Sequence, residues 1–299
     1  MTEPTILAEG KTKRILAGDN PHTVLMEAKD SLSGGDAAKL AAIDSIGACK
    51  TRQAANALGL VASAGVPTAY VRHDGPATLL CEACEMLPLE FVVRRFAWGS
   101  FLKRNPEYKA DVPHRFDQPV WEVFHKDTLV GPPLSARPFQ ISEAEARERY
   151  LRGGVWPAGV YTDPFIDAQA DHWGLYDPKA PLSGDPKLSI DPLLTPQELA
   201  QAVERIVLPT FAALEAAWAR IDTLAGPVWL VDMKVELGRR TRDGALVLAD
   251  VVDNDSWRIW PGGEPTRQLD KQCFRDGDPL SAVAENYRLV AELTDRFAA

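Results

Sequence analysis

The residues most able to do chemistry lie in two charged stretches set within apolar runs. The later one reads Val231-Asp232-Met233-Lys234-Val235-Glu236-Leu237. On a strand, side chains alternate between faces, so Asp232, Lys234 and Glu236 share one face and the apolar residues share the other. A second strand follows at Ala245-Leu246-Val247-Leu248-Ala249-Asp250, after the turn signal Arg242-Asp243-Gly244. A three-residue hairpin loop with Gly in the left-handed position would set Thr241 opposite Ala245 and Glu236 opposite Asp250. Like charges directly across a ladder repel. A bridging hard cation such as Mg²⁺, which prefers carboxylate oxygens, would turn that repulsion into a site. A two-residue turn would break the pairing, and a solvated strand face is the alternative. The earlier stretch is Phe91-Val92-Val93-Arg94-Arg95, followed by Gly99-Ser100-Phe101-Leu102-Lys103-Arg104. An arginine pair ending an apolar strand is costly unless the charges are paired or bound. Two such interruptions point to a charged ligand.

A third candidate is Glu9-Gly10-Lys11-Thr12-Lys13, which reads as a hairpin tip. Glycine lets backbone approach an anion and the lysines supply charge, so the tip suits phosphate; taken alone, a solvated turn is the alternative. The G-x-x-x-x-G-K-[ST] spacing of a P-loop is absent. No Ser-His-Asp or Cys-His arrangement stands out. The four cysteines are Cys49, Cys81, Cys84 and Cys273. Cys81 and Cys84 form a lone C-x-x-C without a second pair or a nearby His, which reads as reduced thiols rather than a zinc or redox site. His172 reads as structural.

These motifs, with Cys84-Glu85-Met86-Leu87-Pro88-Leu89-Glu90 and Asp253-Asn254-Asp255-Ser256-Trp257-Arg258, occur in the order found in the SAICAR synthetases (phosphoribosylaminoimidazole-succinocarboxamide synthases), which the chain resembles over nearly its whole length. The wording of residues 99–106 and 253–258 is most similar to the form that some organisms fuse to a carboxylase domain, for which no counterpart is read here. The resemblance implies an ATP-dependent amide ligation in purine synthesis. The carboxylate of carboxyaminoimidazole ribotide (CAIR) would be activated as an acyl phosphate and attacked by the amine of L-aspartate, with Mg²⁺ as cofactor and ATP as co-substrate. It implies Glu236 and Asp250 as metal-binding carboxylates, and Lys234 as charge balance beside the transferred phosphoryl group. Lys11 and Lys13 would contact the ATP phosphates. Met86 and Leu87 would lie in the segment joining two lobes, where backbone groups read adenine. Arg94, Ser100 and Arg258 would hold CAIR, with Asp255 as a substrate-site acid and Lys103 and Arg104 as weaker candidates. A salt bridge to a glutamate such as Glu90 is the alternative for Arg94. Another ATP-dependent ligase or small-molecule kinase on the same fold, or a non-catalytic nucleotide-binding relative, are the alternative functions.

The elements that must position these residues fit an α+β class. The resemblance makes it a two-lobed ATP-binding fold, with antiparallel sheets, flanking helices and a cleft between lobes. Short strands are expected at 5–8, 12–16, 23–29, 68–72 and 78–81, around a helix over 36–64. Pro88 punctuates the chain there. A nucleotide-clasping lobe over 1–88 and a substrate- and metal-binding lobe over 89–299 follow. Residues 152–194, rich in Pro, Gly and Asp but carrying Trp156, Tyr161, Trp173 and Tyr176, read as an atypical insertion: an ordered cover or subunit contact outside the catalytic core. Thr195-Pro196-Gln197-Glu198 is a capping box opening a helix to about Ile221, and a last helix covers about 280–297. The 299 residues are 45% apolar with a formal net charge of -9. That balance argues against nucleic-acid binding through phosphate attraction. No apolar run reaches membrane-spanning length and no signal-peptide core is read, so a cytoplasmic enzyme is expected, with homo-oligomerisation open.

Overall fold

The computed structural model describes residues 5–10, 12–34, 39–126, 128–130, 160–182, 184–186 and 188–298. The chain divides into two compact units, residues 1–87 with 205–299 and residues 88–204. This differs from the expected lobes of 1–88 and 89–299, because the C-terminal third packs with the N-terminal part.

In the first unit, five antiparallel strands lie in the order Ile6–Glu9, Lys13–Ala17, Thr23–Ala28, Thr78–Glu82, Tyr70–Gly75. The expected strands are therefore present. The helix runs from Ile46–Ser63 rather than from 36. Residues Lys39–Ala42 instead pair with Ser31–Gly34 as a hairpin, and Ser45 takes a left-handed φ of 62° just before the helix begins. A backbone turn thus overrides the Ala- and Lys-rich helical composition. The helix buries Ile46, Ala54, Ala57, Leu58 and Val61. The C-terminal helix Leu280–Thr294 joins this packing: Val283 and Tyr287 cluster with Leu32, Ile43 and Ile46. A long strand, Gly226–Arg240, pairs antiparallel with both Leu246–Ala249 and Trp257–Pro261.

The helix opening at Thr195 has the expected capping box. The Thr195 hydroxyl accepts from Glu198 N at 3.2 Å, and Thr195 N donates back to the Glu198 carboxylate at 2.9 Å. It continues through a π-helical turn, Val203–Val207, into Leu208–Ala219. Pro209 lies just beyond that turn. Its ring cannot donate to the carbonyl four residues back, and a wider turn relieves the clash.

In the second unit, Arg115–His125 pairs antiparallel with the strand Cys84–Phe96 and with Phe165–Ala168; Trp173–Tyr176 and Leu188–Ile190 follow. Pro88 does not interrupt its strand, and its carbonyl still accepts from Lys126 N at 2.9 Å. The described part of 152–194 is built into the interior of this unit. Ile166, Trp173, Leu175, Leu188, Ile190 and Leu194 are all buried, so this segment contributes to the core together with Leu89, Phe91, Val93 and Val123. The alternation Trp173/Leu175 and Leu188/Ile190 is a strand pattern, short enough to be hidden by the surrounding Pro and Gly.

Candidate active site

Lys13, Glu236, Asp250 and Asp253 gather in the first unit. The hairpin joining Gly226–Arg240 to Leu246–Ala249 has a four-residue loop, with Arg240 N bonded to the Ala245 carbonyl at 2.9 Å. Glu236 therefore faces Ala249, one position from the expected pairing with Asp250. The reason is local. Gly244 N and Asp243 N both return to the Arg240 carbonyl, and the Arg240 side chain clasps Asp243 at 2.7 and 3.0 Å. Asp250 lies just past the strand with φ 65°, its Oδ1 accepting from Val251 N at 2.7 Å.

The repulsion expected between carboxylates is met by a cation from another strand. Lys13 forms an ion pair with Asp250. Burial alone would lower the Lys13 pKa, but the charges of Asp250, Glu236 and Asp253 outweigh it and raise it above the ordinary value. Asp253 is pushed up to about 6 by burial and by the charge of Asp255. The face carrying Asp232, Lys234 and Glu236 is not a solvated one: Asp232 and Glu236 are 5% and 8% exposed, and Lys234 is half-buried. Lys234 N donates to the Ser256 carbonyl at 2.7 Å, tying this strand to the 253–258 motif. Lys11 lies outside the described residues. Met86 is exposed and Leu87 half-buried. A Cβ at Gly238 would stand 2.8 Å from Cys84 Cβ and 3.2 Å from the Glu85 carbonyl, so the missing side chain lets this strand pack on the Cys84–Met86 segment.

The 253–258 motif folds on itself. Asp255 N donates to Asp253 Oδ1 at 2.8 Å, and Asn254 bridges Gln53, Leu269 and Trp257. Asp255 meets Lys271 at 3.1 Å, Lys50 at 3.9 Å and the Tyr287 hydroxyl at 2.5 Å. Burial pushes its carboxyl up, but Lys271 and Lys50 with the Tyr287 bond hold it below the usual range. Arg258 donates to Asp232 at 2.5 Å. Near it Asp270, 1% exposed, receives Gln272 N at 2.8 Å on one oxygen, and among the described residues its other oxygen has no hydrogen-bond partner. Burial pushes Asp270 up to about 6.

The second unit holds the Arg94 group. Arg94 donates from Nε to Glu122 at 2.6 Å, and its Nη atoms reach the Trp98 carbonyl and the Ser100 hydroxyl at 3.4 Å each. The salt bridge is with Glu122, where Glu90 was the alternative named. Arg104 is buried against the same Glu122 and lies over the Phe124 and Phe165 rings at 5.0 and 5.3 Å, so it packs the interior rather than facing a ligand. Lys103 is exposed. Glu122, Lys50, Asp270, Lys271 and Tyr287 had no assigned role in the sequence reading. Glu122 could have been found by the signal that found Arg94, a charge inside the apolar run Val120-Trp121-Glu122-Val123-Phe124. The others come together across long sequence separations. Burial drives Cys81 up to about 12 and Cys84 up to about 11, so both thiols are protonated at neutral pH. Among the described residues no three His, Cys, Asp or Glu side chains form a metal cage. Mg²⁺ typically needs one or two carboxylates beside substrate phosphates. The Glu236 and Asp250 oxygen donors are compatible with that.

The model of the SAICAR synthetase family matches residues 6–147 and 176–293. A phosphoribosylaminoimidazole-succinocarboxamide synthase of Chloroflexus aggregans is 35% identical over 300 residues, covering 98% of this chain and 97% of the relative. The human bifunctional phosphoribosylaminoimidazole carboxylase/phosphoribosylaminoimidazole succinocarboxamide synthetase is 34% identical over 292 residues, 96% of this chain and 57% of the larger protein. Among solved structures, the synthase of Ehrlichia chaffeensis aligns with a TM-score of 0.67 at 23% identity, over 97% of this chain and 98% of that one. A type-2 SAICAR synthetase in complex with ADP aligns with a TM-score of 0.67 at 24% identity, over 96% of each chain. Those two likenesses speak for the shared fold. With the family model and the full-length relatives beside them, this chain belongs to the SAICAR synthetase family.

Proposed function

We propose that this chain joins L-aspartate to CAIR at the expense of ATP, releasing SAICAR, ADP and phosphate. A carboxylate acylates poorly because its leaving group would be oxide. In this reading a CAIR carboxylate oxygen attacks the γ-phosphorus and ADP leaves. The aspartate amine then attacks the acyl carbon, and phosphate departs with the bonding electrons. The chain needs no nucleophile of its own; it must position the reactants and neutralise charge.

The observation that carries the proposal is the meeting of Lys13, Glu236 and Asp250 from three separate segments of the chain. Such a set suits a nucleotide triphosphate with its metal. Glu236 and Asp250 would hold Mg²⁺, which would offset phosphate charge when bound. Lys11, Lys13 and Lys234 would face the phosphates, and backbone at Met86 and Leu87 would read adenine. Arg94, Ser100 and Arg258 would hold the anionic groups of CAIR, since an Arg fork suits phosphate and carboxylate. Asp255, held by Lys271 and Lys50, would be a substrate-site acid, and Lys103 is a weaker candidate for contact with CAIR. Arg104 is withdrawn from the ligand contacts because it is spent on Glu122 and the aromatic rings. We place the reaction in the cytoplasm.

A coupled ADP-release assay tests the reading. ADP should appear when CAIR, ATP, Mg²⁺ and L-aspartate are all present, and SAICAR should form in equal amount. Full-rate ADP release without aspartate would instead identify a kinase.

A further inference from the structure

Three side chains from separate elements of the first unit converge on the Asp255 carboxylate. Tyr287, on the C-terminal helix, donates its hydroxyl to Oδ1 at 2.5 Å. Lys271 donates to Oδ2 at 3.1 Å, and Lys50, on the helix Ile46–Ser63, stands 3.9 Å from the same oxygen. The Asp255 backbone N–H is held as well, by Asp253 Oδ1 at 2.8 Å. The supports lie deeper than the group they hold. Tyr287 is 0% and Lys50 3% exposed, whereas the Asp255 side chain is 19% exposed. Asp255 is therefore the open end of a buried network.

The place of Tyr287 is fixed in turn. Its ring packs among Leu32, Ile43, Ile46, Phe274 and Val283. Gln53, fully buried, ties its backbone to that of the acidic motif: Nε2 donates to the Tyr287 carbonyl at 2.7 Å, and Oε1 accepts from Asn254 N at 2.9 Å. One amide side chain thus sets residue 287 against the immediate neighbour of Asp255. The two lysines act on Oδ2 and balance the charge, while the hydroxyl holds Oδ1. A carboxylate gripped at both oxygens from different elements cannot swing freely, and a hydroxyl on an ionised acceptor is among the stronger hydrogen bonds.

We propose that Tyr287 is a positioning residue for the imidazole substrate: seated in the core and registered by Gln53, its hydroxyl holds Oδ1 of Asp255 so that the carboxylate is aimed before CAIR arrives. This rests on the reading that Asp255 is a substrate-site acid, and adds the residue that sets its direction. A group held in place beforehand loses less freedom on binding, which favours affinity. Because Asp255 is read as serving CAIR, the effect belongs to CAIR and not to ATP.

Steady-state kinetics of Tyr287→Phe test it. The variant keeps the ring in its seat and removes the hydroxyl alone. KM for CAIR should rise about five- to fiftyfold, within the cost of misplacing a binding group, with KM for ATP within about twofold of the parent. Asp255→Asn and the double variant complete a cycle. If the hydroxyl acts through Asp255, the double variant should bind CAIR within about twofold of Asp255→Asn alone, since the two losses are one loss. A tyrosine that only supports the fold would add its full cost instead. KM for CAIR within about twofold of the parent in Tyr287→Phe, an equal rise in KM for ATP, or additive losses in the double variant each overturn the inference. The first two outcomes decide without Asp255→Asn, should that variant not fold. Asp255→Asn also separates this from the underlying reading. If it raises KM for CAIR while Tyr287→Phe does not, Tyr287 is structural only. If it leaves KM for CAIR unchanged, the assignment of Asp255 to the CAIR site falls, and this inference with it.

Discussion

Replacing Asp250 by Asn should separate chemistry from folding. Asp250 has φ 65°, a left-handed conformation that Asn tolerates better than most residues. Its Oδ1 accepts from Val251 N at 2.7 Å, and an amide oxygen can do the same. What disappears is one negative charge. Lys13 loses its ion-pair partner, but Glu236 and Asp253 still act on it, so the ammonium is not orphaned. The paired side chains are 26% and 16% exposed, between a surface pair and a buried one. Surface pairs are worth about 0–1 kcal/mol, and breaking a buried pair costs about 3–5 kcal/mol. A loss of about 1–2 kcal/mol is expected, or a Tm lower by roughly 2–8 °C at about 2–4 °C per kcal/mol. Turnover should fall much further. If Asp250 helps hold the metal against ATP, losing that stabilisation costs about 3–4 kcal/mol, or on the order of a hundred- to a thousandfold in kcat. Asp250→Ala is the contrasting variant: it loses the Val251 bond and adds a left-handed strain of about 1–2 kcal/mol, so it should melt lower than Asp250→Asn while being equally inactive. Thermal melts and the coupled ADP assay give both numbers. Asp250→Asn with turnover within about threefold of the parent would refute the metal and phosphate assignment.

Arg94→Lys keeps the charge but loses the fork, so binding of CAIR should weaken while ATP binding changes little; weakened ATP binding with intact CAIR binding, by titration calorimetry, would move Arg94 to the nucleotide site. Replacing residues 153–189 with a short Gly/Ser linker should unfold the second unit, because it removes buried Ile166, Trp173, Leu175 and Leu188 and the strands Val160–Thr162, Phe165–Ala168 and Trp173–Tyr176; a chain retaining its near-ultraviolet circular dichroism would show those strands to be dispensable. Asp270, pushed up to about 6 from about 3.9 in the unfolded chain, is protonated in the fold when it would be ionised without it, so native protein binds more protons between these values. Stability should therefore fall as pH rises from about 4 to 6, and Asp270→Asn should relieve about 2–3 kcal/mol at pH 8 but little at pH 4, measured by urea unfolding. Equal effects at both pH values would contradict the raised carboxyl. Gly238→Ala would press a methyl to 2.8 Å from Cys84 Cβ and should raise KM for ATP, if the Cys84–Met86 segment borders adenine. An unchanged KM for ATP would detach that segment from the nucleotide.

What was legible in the sequence followed local rules. The N-terminal strands, the capping box at Thr195 and the last helix all depend on residues within a few positions of one another. The long strand at Asp232 to Glu236 was visible from its period of two. The misread parts depended on partners far away. Residues 39–42 have helical composition, yet backbone pairing with 31–34 and the left-handed Ser45 delay the helix to Ile46. Residues 165–190 looked like a cover because Pro and Gly break the strands to three or four residues each. Their apolar positions acquire meaning only once paired with Arg115–His125 and with each other.

The expected pairing of Glu236 with Asp250 is replaced by another arrangement of the same charges. The spacing suggested two carboxylates in forced opposition, relieved by a metal. Arg240 clasping Asp243 lengthens the loop by one residue, and Glu236 comes to face Ala249. A one-residue slip in a ladder normally sends a side chain to the opposite face. Asp250 escapes that rule because it has left the ladder: its left-handed backbone ends the strand and turns the carboxylate toward Lys13. The acidic group is thus assembled around a lysine from the N-terminal hairpin, which the sequence had assigned to phosphate for reasons of its own. The hairpin-tip lysine and the strand acids thus share one ammonium group. In the proposed reaction, Mg²⁺ at the carboxylates and phosphate at Lys13 would each replace one half of the Lys13–Asp250 pair.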